Sequence, residues 1–158
     1  HELFKNTNNM VKKIENLYST LIKDFNIKQP KMILAGINPH AGEQDTISKD
    51  DNKYLMPIIK KLNKKDIFID GPVSGDGIIN NTNLNKYDVF IFTYHDQALI
   101  PFKILSNYEG VNFTSNLDII IVSTSHGTAE NLISTNKVIS KGIINCFNLI
   151  KKIKNNRN

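Results

Sequence analysis

Residues 31–43 read Lys-Met-Ile-Leu-Ala-Gly-Ile-Asn-Pro-His-Ala-Gly-Glu. After Lys31 the run is apolar up to Ile37, which predicts a short buried strand over residues 31–37. Pro30 ends whatever precedes it, and Asn38-Pro39 stops it at the other end. His40, Ala41, Gly42 and Glu43 follow at once. Open α/β sheets place their ligands just outside the carboxyl ends of their strands. The fold therefore turns on whether other strands of this chain end in the same way.

Upstream, Val11, Ile14, Leu17, Leu21, Ile22 and Phe25 recur at helical spacing and predict an amphipathic helix over residues 10–25. Downstream, Asp50 or Asp51 is a cap for a second helix reaching about Leu62, with Pro57 as a point of kinking. Residues 67–69 read as a short strand, and Gly71-Pro72 with Gly75 to Gly77 as a loop. The clearest buried strand is 89–93. A helix interrupted at Pro101 is expected over 97–105. Two further strands are expected at 111–114 and 119–123, and a helix starts near Gly127 or Thr128. A final helix spans 137–154, with Ile139, Ile143, Ile144, Phe147, Ile150 and Ile153 as its apolar stripe. Strands alternating with helices predict a layered α/β/α fold with a largely parallel or mixed sheet. There is no internal repeat and no low-complexity linker.

The bulk numbers agree. A chain of 158 residues with 40% hydrophobic and 22% charged residues can bury a real core. The single cysteine, Cys146, excludes an internal disulfide framework, and its place beside Phe147 on the last helix reads as core. No apolar run is long enough to cross a bilayer and nothing resembles a signal peptide, so a cytoplasmic setting without membrane partners is expected. The net charge of +5 comes largely from Lys60, Lys61, Lys64, Lys65, Lys151, Lys152 and Lys154. These read as solvated helix faces, and aromatic residues are not interleaved with them as single-strand binding requires, so no nucleic-acid partner is expected.

Of the four histidines, His1 opens the chain. The other three follow predicted strands: His40 after 31–37, His95 after 89–93 and His126 after 119–123. Each has polar company: Glu43 near His40, Asp96 and Gln97 after His95, Gly127 and Thr128 after His126. Neutral imidazole suits zinc and similar divalent metals, and an adjacent carboxylate can ligate, orient or accept a proton. A helix N-terminus offers free N–H groups to anionic ligands. The spacing matches no compact zinc-finger pattern, and Gly71 to Gly77 is not a Walker loop because no Gly-Lys-Ser/Thr ending follows.

Three of these stretches resemble, in order, signatures of the 4-hydroxythreonine-4-phosphate dehydrogenase family (PdxA) of vitamin B6 biosynthesis. They are Asn38-Pro39-His40-Ala41-Gly42-Glu43, Tyr94-His95-Asp96-Gln97 and His126-Gly127-Thr128-Ala129. Gly71-Pro72 with Asp76, Lys103, and Gly110-Val111-Asn112 also match the family pattern. The resemblance runs from about Met10 to the C-terminal helix.

It implies a fold similar to that of isocitrate and isopropylmalate dehydrogenases. It implies a metal- and NAD-dependent enzyme that oxidises 4-phosphohydroxythreonine, a phosphorylated hydroxy amino acid, with decarboxylation of the product, in pyridoxal phosphate biosynthesis. The metal would be zinc, magnesium, cobalt or manganese. A homodimer with its active site at the interface is implied. By position, His40 and His95 would be metal ligands. Asp76, Asp96 and Lys103 would be catalytic, Lys103 and Asn112 would touch substrate, and His126, Gly127, Thr128 and Ala129 would form part of the cofactor loop.

The chain departs from the family at three places. The family's first metal histidine lies upstream of the matched region, Ile121 stands where the family has an arginine, and Ser125 stands where an acidic residue is expected. Residues 1–158 are accordingly expected to be a C-terminal portion, one compact domain plus part of the cofactor-binding domain. The N-terminal half would be absent and the piece inactive alone. The alternative expectations are a non-catalytic binding or dimerisation module, or a relative acting on another phosphorylated hydroxy acid.

Overall fold

A computed structural model describes residues 6–107, 109–125 and 140–158. Helix α1 (Thr7–Phe25) opens the described chain, with the Asn6 side chain accepting from Asn9 N at its start and Asn26 closing it in a left-handed conformation. Strand β1 (Met32–Ala35) follows, then a short turn Pro39–Gly42. A wide π-type turn, Asp51–Leu55, leads into α2 (Met56–Asn63). Then come β2 (Ile69–Val73), α3 (Asn81–Lys86), β3 (Val89–Ile91), α4 (His95–Ser106), β4 (Val111–Thr114), β5 (Ile121–Thr124) and α5 (Lys141–Arg157).

β1 is the middle of a parallel three-stranded sheet of order β2-β1-β3. All its residues are buried, and successive side chains point to opposite faces. Met32 and Leu34 join Val11, Ile14 and Leu21 of α1 and Ile58, Ile59 and Leu62 of α2 in the main core. Ile33 and Ala35 face the other way, where Ile78 is buried and Phe90 and Phe92 pack around it. The predicted layered α/β architecture with a parallel sheet is thus present, and β1 is its centre because it is apolar on both faces.

β4 and β5 form a separate antiparallel pair. α5 packs on this hairpin and on α1, and Phe25 meets Phe113 edge-on at 5.6 Å. Arg157, in the last turn of α5, donates to both carboxylate oxygens of Asp24 in α1.

Several boundaries differ from expectation. β2 begins at Ile69 and runs through Gly71-Pro72, which was expected as loop. Pro72 is tolerated because β2 is an edge strand. α4 begins at His95 itself and continues through Pro101 without a break. α2 is preceded by the π-type turn, and Pro57 sits in its first turn, where a missing N–H costs nothing. α3 was not foreseen, since its Asn-rich sequence has no apolar period. α5 buries Gly142, Cys146 and Ile153, and leaves Ile143, Ile144 and Phe147 more than half exposed. The expected apolar stripe therefore only partly faces this domain, while Cys146 is core as read. The expected helix start near Gly127 and residues 137–139 lie outside the described residues.

The exposed lysines of α2 have neighbours in α1: Lys61 donates to Asn8 Oδ1 at 2.9 Å and Lys65 pairs with Glu15 at 2.5 Å. No helix of the described residues is long and apolar enough to cross a membrane.

Candidate functional site

The carboxyl ends of all three parallel strands meet at Gly36. Its N–H donates to Val73 O at the end of β2, at 2.8 Å. Its carbonyl accepts from Thr93 Oγ1 and Gln97 Nε2, both at 3.1 Å, at the β3–α4 turn. Gln97 Oε1 in turn accepts from the backbone N–H of Thr93 and shares the single Thr93 hydroxyl proton with Gly36 O. A Cβ at Gly36 would stand 2.8 Å from Asp51 Oδ1 and 2.9 Å from Ala41 Cα. Only a glycine allows three strand ends and the following turn to approach so closely.

Beyond Gly36 the chain turns in an uncommon way. His40, Ala41, Gly42, Glu43, Gln44 and Asp45 all have positive φ, from 45° to 76°. For residues with a Cβ this backbone costs roughly 1–2 kcal/mol each, so the turn persists only because its surroundings hold it. Ile47 N closes it on Gly42 O at 3.0 Å. Gly42 itself has no room for a side chain, because a Cβ would lie 2.3 Å from Ser48 O. The buried Asp51 carboxylate accepts from Ile37 N at 2.7 Å and from Asn38 N and Asn38 Nδ2 at 3.3 and 3.1 Å.

The turn presents His40 at a cleft of about 640 Å³, which Asn38, Asp76, Tyr94, Asp96 and Gln97 also line. Ile100, Pro101 and Ile104 of α4 form its apolar wall. Asp76 is exposed, and its carboxyl is held below the ordinary carboxylate range, first by the Ser74 hydroxyl and then by nearby backbone N–H groups and the positive charge His40 can carry. His95 opens α4 on the rim, where its Nδ1 lies 2.7 Å from Asp96 Oδ1. That contact leaves Nε2 as the nitrogen available to a ligand.

Of the residues singled out in the sequence, His40, Asp76 and Asp96 share one cleft, and His95 is tied to it through Asp96. Lys103 is exposed further along α4 and does not line the cleft. Asn112 lies on β4, where it donates to Thr124 O at 3.4 Å. It lines an adjoining apolar cavity of about 410 Å³ that shares Ile79 and Pro101 with the cleft. Ile121 stands on β5, paired with Thr114. His126, Gly127, Thr128 and Ala129 lie outside the described residues.

The donor set suits a borderline divalent cation in kind: His40, Asp76 and Asp96 line the cleft, and His95 is joined to it through Asp96. It does not close one: among the described residues no three ligand side chains stand close enough together to hold an ion. Sequence reasoning missed Asp51 as the anchor of the turn, seeing it only as a helix cap. It also missed Thr93, Gln97 and Gly36 as the hub. The signal for Asp51 was an acidic residue opening a helix after a turn that carries Gly36, Asn38 and Gly42.

A separate cavity of about 610 Å³, lined by Tyr18, Lys28, Phe68, Asp70, Lys86 and Tyr87 among others, contains none of the candidate residues. It opens where β1 begins, at Lys31 and Met32, at the opposite end of the strands.

Residues 5–150 match the family model described as pyridoxal phosphate biosynthetic protein PdxA. The 4-hydroxythreonine-4-phosphate dehydrogenase of Aquifex aeolicus is 35% identical over 97% of this chain and 49% of its own length. That of Zymomonas mobilis is 41% identical over 74% of this chain and 35% of its own. A crystal structure of the Klebsiella pneumoniae 4-hydroxythreonine-4-phosphate dehydrogenase superposes with a TM-score of 0.72 at 26% identity, covering 94% of this chain and 44% of that one. Among the curated relatives compared, the matched region spans 32% to 49% of their length.

Proposed function

The chain belongs to the PdxA family of pyridoxal phosphate biosynthetic proteins, and we propose that it carries part of the active site of a metal- and nicotinamide-dependent dehydrogenase. The proposed reaction is oxidation of 4-phosphohydroxythreonine with decarboxylation of the product. The observation that carries this reading is the shared cleft of His40, Asp76 and Asp96, with His95 oriented at its rim.

In this reading His40 and His95 would hold a divalent cation, zinc, magnesium, cobalt or manganese, with the remaining ligands from outside the described residues. The cation, when bound, would supply Lewis-acid polarisation of the substrate hydroxyl, and NAD would supply the hydride acceptor. The chain's own residues do the rest. Asp96 Oδ1 engages His95 Nδ1, which leaves Nε2 as the ligating nitrogen. Asp76 is the acidic neighbour of the reacting centre at the cleft edge, and the Ser74 hydroxyl that holds its carboxyl below the ordinary range makes it a weaker base than an ordinary aspartate. Ile100, Pro101 and Ile104 give the cleft an apolar side. Lys103 and Asn112 are assigned to the substrate, on the family pattern alone, and residues 126–129 to the cofactor. As to domain make-up, residues 1–158 are assigned to the C-terminal portion of the enzyme.

Tyr94, Ile100 and Ile104 are more than half exposed beside the cleft, as are Ile143, Ile144 and Phe147 on α5. Apolar surface of this kind marks an interface, and it supports a homodimer with the site at the subunit boundary.

The test is a Zn²⁺ titration followed through the imidazole signals of His40 and His95. Both signals move together at one stoichiometry if they share an ion. Independent responses, or none, reject the pairing.

One observation favours a second reading of the substrate. Ile121 is 43% exposed on β5 and offers no hydrogen-bond donor, so it cannot grip a phosphate or carboxylate as a guanidinium does. A relative that acts on another phosphorylated hydroxy acid accounts for this. If so, Ile121→Arg shifts preference toward 4-phosphohydroxythreonine; unchanged preference removes the second reading.

A further inference from the structure

We infer that Asp51 is a positioning residue for His40: it sets the left-handed turn that presents the imidazole, although it does not line the cleft. Asp51 is 1% exposed and opens the π-type turn before α2. Side chains in the first turn of a helix lean back toward its N-terminus, and this carboxylate leans into the end of β1. One oxygen accepts from Ile37 N at 2.7 Å, and the other from Asn38 N at 3.3 Å and Asn38 Nδ2 at 3.1 Å. The two glycines of the turn close over it. Ideal Cβ atoms at Gly36 and Gly42 would lie 2.8 and 3.5 Å from its oxygens.

Between those two glycines stand Asn38, Pro39 and His40. Asn38 is extended, with φ −104° and ψ 159°, and two residues later His40 is left-handed, with φ 53° and ψ 25°. That reversal follows directly on the two N–H groups Asp51 holds. Both carboxylate oxygens act as acceptors, so an amide at this position must turn one N–H toward a donor whichever way it flips. The neutral isostere is therefore the sharpest probe. The metal part of this inference rests on the reading of His40 as a ligand; the backbone part does not.

The experiment uses the 158-residue chain, with Asp51→Asn, Asn38→Ala and a core control, Ile58→Val. The first observable is the intraresidue amide-to-α-proton cross-peak of His40, Ala41 and Glu43, which is intense only at positive φ. The second is Zn²⁺ affinity read at the His40 imidazole. Asp51→Asn is expected to weaken those cross-peaks and lower affinity about 10- to 100-fold, the range for a lost supporting contact. Asn38→Ala, which removes one of the three hydrogen bonds, moves both in the same direction by less. Ile58→Val lowers stability and moves neither. Unchanged cross-peaks in a folded Asp51→Asn overturn the inference; if that variant does not fold, unchanged cross-peaks in Asn38→Ala do so. If Zn²⁺ fails to move the His40 signal in the unaltered chain, the metal reading fails, while the cross-peaks still decide the role of Asp51.

Discussion

Arg157 and Asp24 lie 133 residues apart in sequence and form a two-pronged ion pair, Nε to Oδ1 at 2.7 Å and Nη2 to Oδ2 at 2.8 Å. Asn156 Nδ2 adds a bond to Asp24 O at 2.7 Å, and Arg157 Nη1 donates to Asp118 O at 3.0 Å. The end of α5 is thereby fastened both to α1 and to the loop before β5. Asp24 is 2% exposed, so removing its partner strands a buried carboxylate. Arg157→Ala is expected to lower the urea midpoint of unfolding, and the amides of α5 should lose exchange protection before those of β1. Uniform loss of protection across both elements would mean that the pair does not act as a local clasp.

Gly42→Ala tests the left-handed turn. Its φ of 76° and the 2.3 Å approach of Ser48 O leave no place for a methyl group. The backbone alone costs at least about 1 kcal/mol, and the clash adds to it. Chemical denaturation should show that loss, with shift changes concentrated in residues 36–48. A variant as stable as the parent would contradict the geometry of the turn.

Gln97 joins two strand ends through three hydrogen bonds of 3.1 Å. Gln97→Ala leaves one donor to Gly36 O in place, the Thr93 hydroxyl. The expected loss is about 1–3 kcal/mol, accompanied by fraying of the first turn of α4. Should thermal melting show no change, the hub at Gly36 is held by Thr93 alone.

The pH dependence at Asp76 has a definite sign. Its carboxyl is held below the ordinary range mainly by the Ser74 hydroxyl. A depressed folded value means a stabilising contribution that is present above the unfolded value and lost as pH falls through the folded one. Asp76 is fully exposed, so the contribution to stability is small. Ser74→Ala should raise the midpoint of the Asp76 carboxyl carbon titration toward ordinary aspartate. A midpoint unmoved by that change would place the cause in the backbone N–H groups or His40.

What could be read from sequence follows from how local each signal is. Val11, Ile14 and Leu21 mark α1, and residues 31–37 mark β1, because burial on a stripe or on both faces leaves a periodic or continuous apolar pattern. The strand-end placement of His40 and His95 was legible for the same reason. β2 was misjudged because Gly71-Pro72 signals a turn locally, whereas position at the sheet edge lets it pair. α3 is too short and polar to show a period. Asp51 was legible as a helix cap but not as the anchor of the His40 turn, since that role depends on a contact across 14 residues and on two glycines packed against it. The absent donor at Ile121 was visible at once, being a matter of residue type.

The most direct test of the central claim is NADH formation by the longest natural reading frame that contains this chain. The assay supplies 4-phosphohydroxythreonine, NAD and each divalent metal in turn. Metal-dependent NADH is expected, reduced at least about 100-fold in His40→Ala. Folded protein that makes no NADH with any metal, or a His40→Ala variant as fast as its parent, would contradict the central claim.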